Sequence, residues 1–165
     1  MAGVSIHKGA YTSIGSDSSP GLLFLRSFLA AIDSFNPTDH APIASLLRQD
    51  ATLTINNGPA IPAEQMISML GMRGTKLAKF GHDLHTAWDI AGGDGRRTVM
   101  YESTSFTVFK DDQEGVEARV NEFNIIELVK SDDGVLRALE LRTYMDASPV
   151  SARAQAVMSK SGQTQ

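Results

Sequence analysis

Four long segments with the composition of β-strands, joined by short turns, place the strongest constraint on the fold of this chain. The segments are His82–Ala91, Arg96–Phe109, Val116–Lys130 and Val135–Asp146. The sequences that connect them, GGDG, KDDQEG and SDDG, have the glycine and aspartate content of tight turns. Short turns make consecutive strands antiparallel neighbours, so the second half of the chain is predicted to be a meander.

The length of these strands predicts a curved sheet. An extended segment as long as Arg96–Phe109 would measure roughly 45 Å at about 3.3 Å per residue. That is too long for a flat sheet in a domain built from a chain of 165 residues. We therefore expect the sheet to twist and curl, with β-bulges at the points of strongest bending.

Helical patterns precede the meander. Ser19-Pro20 is a helix-start signal, leucines and phenylalanines follow at helical spacing, and Asn36-Pro37 ends the helix. A short second helix and a third helix opened by Pro62 follow, separated by the alternating segment ATLTIN. The predicted fold class is α+β, with the N-terminal helices packed on the concave face of a strongly curved antiparallel sheet, which forms a cone with an internal pocket.

The predicted domain organisation is simple. Residues 1–18 are rich in serine and glycine and are expected to be a disordered lead-in. Residues 19–158 form a single domain that closes with a helix in SPVSARAQAVMSK, and residues 159–165 are expected to be a frayed tail.

Charge and composition argue against several functional classes. The formal net charge of -4 is unlike that of a protein that binds nucleic acid or an anionic membrane surface. The chain has no cysteine, and its four histidines are scattered, so we predict neither a metal site nor a cofactor. Arg26 interrupts the longest apolar stretch, and the N-terminus lacks a secretory signal, so a cytoplasmic location without membrane insertion is expected.

The last strand-like segment, LELRTYMDASP, separates polar from apolar residues. With a period of two, Glu140, Arg142, Tyr144 and Asp146 share one side, opposite Leu139, Leu141, Thr143 and Met145. A strand side made of charged and hydroxyl-bearing residues faces either bulk water or a cavity in which chemistry takes place.

Three segments carry a resemblance to a known family: ATLTINNGP, the helical PAEQMISML and the C-terminal DDGVLRALELRTYMD. In this order the chain resembles the SnoaL-like polyketide cyclases, within the nuclear transport factor two-like (cystatin-like) superfamily. The resemblance implies an acidic residue near the end of the last strand, here Asp146, that removes a proton next to a carbonyl. Arg142 and Tyr144 would then hold substrate oxygens beside it.

A more distant similarity is to limonene epoxide hydrolases, which share the Arg, Tyr and Asp pattern of the last strand and an asparagine that corresponds to Asn56. Those enzymes also use an arginine and an aspartate two residues apart on a central strand. This chain has Glu102 and Thr104 in that region. The resemblance therefore favours a proton-transfer reaction over epoxide opening.

Alternative interpretations remain open for the catalytic candidates. Asp146 is either a partly shielded general base or the cap of the following helix. Arg142 either stabilises a developing negative charge or pairs with a glutamate across the sheet. Tyr144 either lines the pocket or completes the core.

The candidates for substrate binding are Asn56, Glu102, His82 and Trp88. Asn56 is either a ligand contact or part of a turn, and Glu102 is either a second inward carboxylate or a solvated surface residue. His82 either reaches the pocket or lies in the core or at the rim, and Trp88 is either a pocket wall or a dimer contact.

These features predict a cofactor-independent cyclase, isomerase or dehydratase that acts by proton transfer on an apolar, carbonyl-bearing polyketide or terpenoid. The alternative is a non-catalytic ligand-binding or dimerisation module of the same fold. Leu139 and Leu141, on the predicted outer face, suggest a homodimer formed through the sheet.

Overall fold

A computed structural model describes residues 3–34 and 40–161 of the chain. The helices within these ranges are α1 (Pro20–Asp33), α2 (His40–Leu46), α3 (Ala63–Lys76) and α4 (Ser148–Ser161). The strands are β1 (Val4–Lys8), β2 (Leu47–Ile55), β3 (Ile61–Pro62), β4 (Leu77–Ala91), β5 (Arg97–Phe109), β6 (Ala118–Lys130) and β7 (Leu136–Met145). They form one seven-stranded sheet in the order β1-β4-β5-β6-β7-β2-β3.

The predicted α+β cone is confirmed. Strands β4 to β7 form the antiparallel meander, and its register shifts between Leu84 and Thr86 and again between Glu127 and Leu128. These irregularities act as bulges, which bend long strands and increase their twist. β2 joins the free edge of β7 in parallel, a long-range pairing that the local sequence pattern did not predict.

The apolar stripe of α1 packs into the concave side of the sheet. Leu25, Phe28 and Leu29 on this helix are at most 2% exposed. They meet the sheet residues Val99, Ile126 and Leu128, which are equally buried, in one continuous core. Burying each such side chain contributes about 1.5–3 kcal/mol, so this helix anchors the wall of the cone.

Two expectations about the ends of the chain need correction. The lead-in predicted to be disordered contains β1, which pairs with β4 from Val4↔Ile90 to Lys8↔Thr86, and a 3-10 turn, Tyr11–Ser13. The tail predicted from residue 159 begins as the last turn of α4, which extends to Ser161. The predicted helix end at Asn36-Pro37 and residues 162–165 lie outside the described ranges.

Strand β4 begins earlier than predicted. The sequence predicts a strand from His82, but α3 ends at Lys76 and the chain enters β4 directly at Leu77. The earlier start makes β4 fifteen residues long and places Phe80 in the sheet, two residues before His82.

Candidate active site

The cone encloses a mainly apolar cavity of about 230 Å³. Its walls come from α1, α3 and five strands, and they include Phe28, Ile32, Leu53, Ile55, Met66, Leu70, Phe80, His82, Tyr101, Glu122, Asn124, Leu141, Thr143 and Met145. The volume is somewhat below the about 300–1,000 Å³ typical of drug-sized ligand sites, so the cavity suits a compact ligand.

A histidine–aspartate pair lies on the wall of this cavity. Asp33 is the last residue of α1, and His82 lies on the facing strand β4. The Nδ1 atom of His82 is 2.6 Å from Oδ1 of Asp33, and the backbone N–H of His82 donates to Oδ2 at 3.1 Å. One carboxylate thus contacts both the ring and the backbone of His82, and because Nδ1 is the ring atom that faces Asp33, Nε2 is free for acid–base chemistry.

A second carboxylate faces the other nitrogen of the same imidazole. Oε2 of Glu122, on β6, lies 3.6 Å from Nε2 of His82. The hydroxyl of Ser105 donates to Oε1 of Glu122 at 2.6 Å, and Nδ2 of Asn124 approaches Oε2 at 3.5 Å. The side chains of Asp33, His82 and Glu122 are 14%, 7% and 10% exposed, so this acid–base cluster is largely shielded from water.

The cluster holds opposite charges at neutral pH. Burial disfavours protonation of His82, but its contacts with Asp33 and Glu122 outweigh burial and raise its pKa to about 9. Burial likewise acts to raise the pKa of Glu122, but His82 and the hydrogen bond from Ser105 leave that pKa below its ordinary value. His82 is therefore an imidazolium between two carboxylates near pH 7.

A tyrosine adds a neutral donor to the cavity. Tyr101, on β5, is 4% exposed and belongs to the cavity wall. Burial, reinforced by the charges of Glu122 and Asp33, raises the pKa of its phenol above the ordinary value. The hydroxyl therefore keeps its proton and is available to donate a hydrogen bond to a ligand oxygen.

Residues directly opposite one another in an antiparallel ladder share a face of the sheet, and this rule assigns the faces here. Tyr101, Asn124 and Thr143 are paired across β5, β6 and β7, and all three line the cavity; we call them the inner row. Their neighbours in sequence are also paired across the three strands and lie on the opposite, convex face; we call these the outer row: Glu102, Phe123 and Tyr144.

This assignment corrects the expectation that the polar side of the last strand faces the pocket. Tyr144 belongs to the outer row, in a surface groove with His85 and Asn121. Arg142 borders the cavity, but its guanidinium is directed at Glu127 (3.4 Å) and Glu140 (3.3 Å), the cross-strand pairing given above as the alternative. Leu141, expected on the outer face, is 5% exposed and lies in the core.

The structure places Asp146 outside the cavity, at the start of α4. It is exposed, its Oδ1 accepts the backbone N–H of Ser148 at 2.9 Å, and its Oδ2 accepts the Ser148 hydroxyl at the same distance. These hydrogen bonds engage both carboxylate oxygens and lower the pKa of Asp146. Its geometry is that of a helix cap.

The remaining sequence candidates separate into one inside and three outside the cavity. His82 reaches the cavity. Asn56 instead clamps the end of β7, because its side chain donates to the Met145 carbonyl at 2.7 Å and accepts the Met145 N–H at 2.9 Å. Glu102 is exposed in the outer row, and Trp88 pairs with Ile6 and Met100 on that same convex face.

Sequence reasoning missed Asp33, Glu122 and Tyr101, although the sequence contained a signal for two of them. Glu122 alternates with Val120, Asn124 and Ile126, a row that becomes buried. Asp33 follows Leu29 by four residues on the apolar stripe of α1. An acidic residue on an otherwise buried stripe is costly without a partner, so both positions were candidates for an internal site.

Two kinds of site receive no support from the described part of the chain. Within residues 3–34 and 40–161, no group of three metal-ligating side chains has an arrangement that could hold a metal ion. Over the same residues, none of the helices combines the length and the apolar character needed to cross a bilayer.

Comparison with known proteins locates the fold but not a family. No protein family profile matches the chain, and no curated protein matches its sequence. Solved structures do match. A putative scytalone dehydratase from Novosphingobium aromaticivorans is 11% identical, with a TM-score of 0.65 over 77% of this chain and 82% of that one.

Two further structures have similar values. The hexachlorocyclohexane dehydrochlorinase LinA-type3 from Novosphingobium barchaimii is 13% identical, with a TM-score of 0.61 over 74% of this chain and 82% of that one. A nuclear transport factor 2-like superfamily protein from Salmonella enterica is 14% identical, with a TM-score of 0.61 over 73% and 84%. These similarities establish the nuclear transport factor two-like fold; at such low identity they do not transfer a reaction.

Proposed function

We propose that this chain is a cofactor-independent enzyme that eliminates water from a compact, apolar, carbonyl-bearing molecule bound in the cone. The observation that carries the proposal is the cluster of Asp33, His82 and Glu122 on the wall of an apolar cavity. Oppositely charged neighbours outweigh burial and keep His82 protonated and Glu122 ionised, as an acid–base site requires. Of the reactions expected from the sequence, this arrangement favours dehydration over cyclisation or isomerisation.

Glu122 and His82 have complementary roles. The Glu122 carboxylate takes the proton from the carbon next to the substrate carbonyl, and the electron pair of that C–H bond forms the new C=C bond. As the C–O bond at the neighbouring carbon breaks, Nε2–H of His82 protonates the departing hydroxyl, and water leaves. Proton transfer from Glu122 back to His82, across the 3.6 Å that separates them, restores the starting state.

Other residues position these groups and the substrate. Asp33 holds the imidazole and stabilises its positive charge, as a carboxylate behind an acid–base histidine does. Asn124 accepts a hydrogen bond from the Thr143 hydroxyl at 2.7 Å and orients its amide towards Glu122. Tyr101 donates to the substrate carbonyl, where negative charge develops as the proton leaves.

The choice of elimination agrees with two of the structural comparisons. The names of the similar proteins from the two Novosphingobium species describe loss of water and loss of hydrogen chloride. In both cases a proton and a leaving group depart from neighbouring atoms. That chemistry needs a base and an acid in one shielded site, which is what Glu122 and His82 supply here.

The proposal is tested with 3-hydroxycyclohexanone, a compact ketone whose dehydration to cyclohex-2-enone is followed by absorbance. We expect turnover that depends on the protein and falls as the pH rises through about 9, because His82 then loses the proton it must donate. A rate that rises through the same pH would reverse the roles and make neutral His82 the base.

Absence of turnover by the wild-type chain, across cyclic and open-chain hydroxyketones that bind the cavity, would instead support the non-catalytic alternative. The same cone would then be a binding module for apolar ligands. Binding is measured by calorimetry in the same buffer, so that a compound that does not enter the cavity is distinguished from one that enters and does not react.

We also propose that two copies of the chain associate through the convex face of the sheet. Ile6, Trp88 and Met100 are directly paired across β1, β4 and β5 and form an apolar row on that face, and Ile6 is 59% exposed. Equilibrium sedimentation should give a dimer for wild type and a monomer for Trp88→Glu. Met158→Glu, a change at a residue that is 69% exposed on α4, is the matched control and should remain dimeric.

A further inference from the structure

An arginine on the cavity wall has donors that the protein does not use. Arg73 lies on α3, in the last turn before β4, and belongs to the cavity lining. Its guanidinium lies over the ring of Phe80, 4.2 Å from the ring centroid. Phe80 in turn meets the ring of His82 edge-on at 5.2 Å, so the arginine lies one aromatic ring away from the acid–base cluster.

The hydrogen bonds of Arg73 are incomplete. A guanidinium has five N–H donors, and here one nitrogen donates to the carbonyl of Ile32, near the C-terminal end of α1. The Nε–H group is buried and has no hydrogen-bond partner. Among the described residues no carboxylate lies within ion-pair distance of the guanidinium.

The charge of Asp33 does not offset the burial of the Arg73 guanidinium. Asp33 is close enough to attract Arg73, yet both its oxygens are engaged by His82. Burial is the larger influence on Arg73 and acts against its charge. A half-buried cation with no carboxylate in ion-pair contact costs stability, and the cost is recovered when an anion binds beside it.

We propose that Arg73 binds a carboxylate of the ligand, so that the natural ligand is a compact apolar acid. This inference rests on the proposed function for the identity of the reacting groups, but the anion site itself does not depend on turnover. The planar guanidinium matches a carboxylate, and its stacking on Phe80 keeps the plane in position. The acid group would lie at the α3 side of the cavity, with the reacting carbon towards His82 and Glu122.

A purely structural role for Arg73 is the competing explanation. The hydrogen bond to Ile32 caps a helix C-terminus, and the contact with Phe80 packs α3 against β4. Such a role predicts that substitution lowers the melting temperature but leaves the choice between ligands unchanged. The test therefore compares two ligands of nearly equal shape and different charge.

The probes are cinnamate and cinnamamide, measured by isothermal titration calorimetry at pH 7. We expect wild type to bind cinnamate about tenfold or more tightly than the amide, because a charge-assisted hydrogen bond replaces a neutral one. Arg73→Gln should bring the ratio of the two Kd values close to one. Arg73→Lys should give an intermediate ratio, because lysine keeps the charge and lacks the planar fork.

Arg96→Gln is the matched control, since Arg96 is an exposed arginine in the turn between β4 and β5, and it should keep the wild-type ratio. The inference is overturned if wild type binds both probes equally, if neither binds, or if Arg73→Gln keeps the preference. If Arg73→Gln fails to fold, the comparison of wild type with Arg73→Lys decides. A preference for cinnamate without turnover of 3-hydroxycyclohexanone would retain the anion site and remove the proposed reaction alone.

Discussion

The inner and outer rows of the sheet differ by a single step along each strand, yet they serve different purposes. Both rows contain a tyrosine and further polar groups, so residue type does not separate them. The inner row is covered by α1 and α3 and lies beside the buried acid–base cluster. The outer row faces the surface groove on the convex side. The comparison shows that the face of a strand, more than its composition, decides which polar residues can act on a ligand.

The free energy of burial explains why the polar side of β7 turned outwards. The inward alternative would have placed Arg142 and Glu140 in the cone and exposed Leu141. Burying a leucine contributes about 1.5–3 kcal/mol, whereas burying a charged side chain costs several kcal/mol even when it is paired. Leu141 also completes a buried ladder with Val99 and Ile126, so the outward arrangement is favoured on both counts.

The largest expected difference is in turnover, between variants of the buried cluster and a variant of Asp146, the exposed carboxylate that follows β7. His82→Gln or Glu122→Gln should lower the turnover of 3-hydroxycyclohexanone by about 10²–10⁴-fold, because each removes a proton-transfer group. Asp146→Asn should leave the rate within about twofold, since that residue caps a helix outside the cavity. If Asp146→Asn lost activity while His82→Gln and Glu122→Gln stayed active, the catalytic group would be Asp146 and not the buried cluster.

The next largest effect is a loss of stability when the carboxylate of Asp33, the partner of His82, is removed. Asp33→Asn should lower the free energy of unfolding by about 3–5 kcal/mol, because it leaves a buried imidazolium with a weakened partner. Chemical denaturation at pH 7 measures this loss. The conservative variant Asp33→Glu separates loss of charge from loss of fit, and a change below about 1 kcal/mol in Asp33→Asn would contradict an ionic contact.

The same variant should change the pH dependence of stability. The folded pKa of His82, about 9, lies above its ordinary value of about 6.5, so protonation of His82 stabilises the fold by about 3 kcal/mol. This contribution is fully present below about pH 6.5 and is lost as the pH rises through about 9. Chemical denaturation at a series of pH values between about 6.5 and about 9 should show a clear decline in the free energy of unfolding for wild type. The decline should be smaller for Asp33→Asn.

The most direct test of the two rows uses neighbouring residues of β7. Thr143→Val removes the hydroxyl that donates to Asn124 at 2.7 Å and leaves a buried oxygen without that donor, at an expected cost of about 1–3 kcal/mol. Tyr144→Phe, one residue further along in the outer row, should change stability by less than about 0.5 kcal/mol. If the two variants lowered the melting temperature equally, Thr143 and Tyr144 would not lie on a buried and an exposed face of the sheet, respectively.

The smallest effect is expected at the exposed carboxylate of the outer row. Glu102→Gln should change the free energy of unfolding by less than about 0.5 kcal/mol, because Glu102 is solvated on the convex face. The rate of dehydration should stay at the wild-type value. A clear loss of turnover in this variant, with normal stability, would place Glu102 at a second functional site on the groove that it shares with His85 and Tyr144.

Much of the fold could be predicted because its signals are local. The period-two strands, their glycine and aspartate turns and the proline helix starts each depend on residues close together in the sequence. They predicted β5 to within one residue at its start and β7 to within one residue at each end. β1 was missed because it is short, it is exposed along one side, and it gains stability from pairing with β4, some 80 residues away.

The candidate site could be predicted only in part. His82 is one of the binding candidates that the sequence offers, but its partners come from α1 and β6, 49 and 40 positions away in the sequence. No spacing rule relates those positions. The bulges between Leu84 and Thr86 and between Glu127 and Leu128 also change which side of each strand a residue occupies, and they are not visible in the alternation.

The sequence by itself determined an α+β cone with a helical cover, because hydrophobic periodicity and turn chemistry act over a few residues. The tertiary structure decided which carboxylates became internal: Asp33 and Glu122 meet His82 inside, while Asp146 ends outside as a helix cap. That choice depends on strand register and helix docking, since an acid is tolerated in the interior only where distant elements supply its partners.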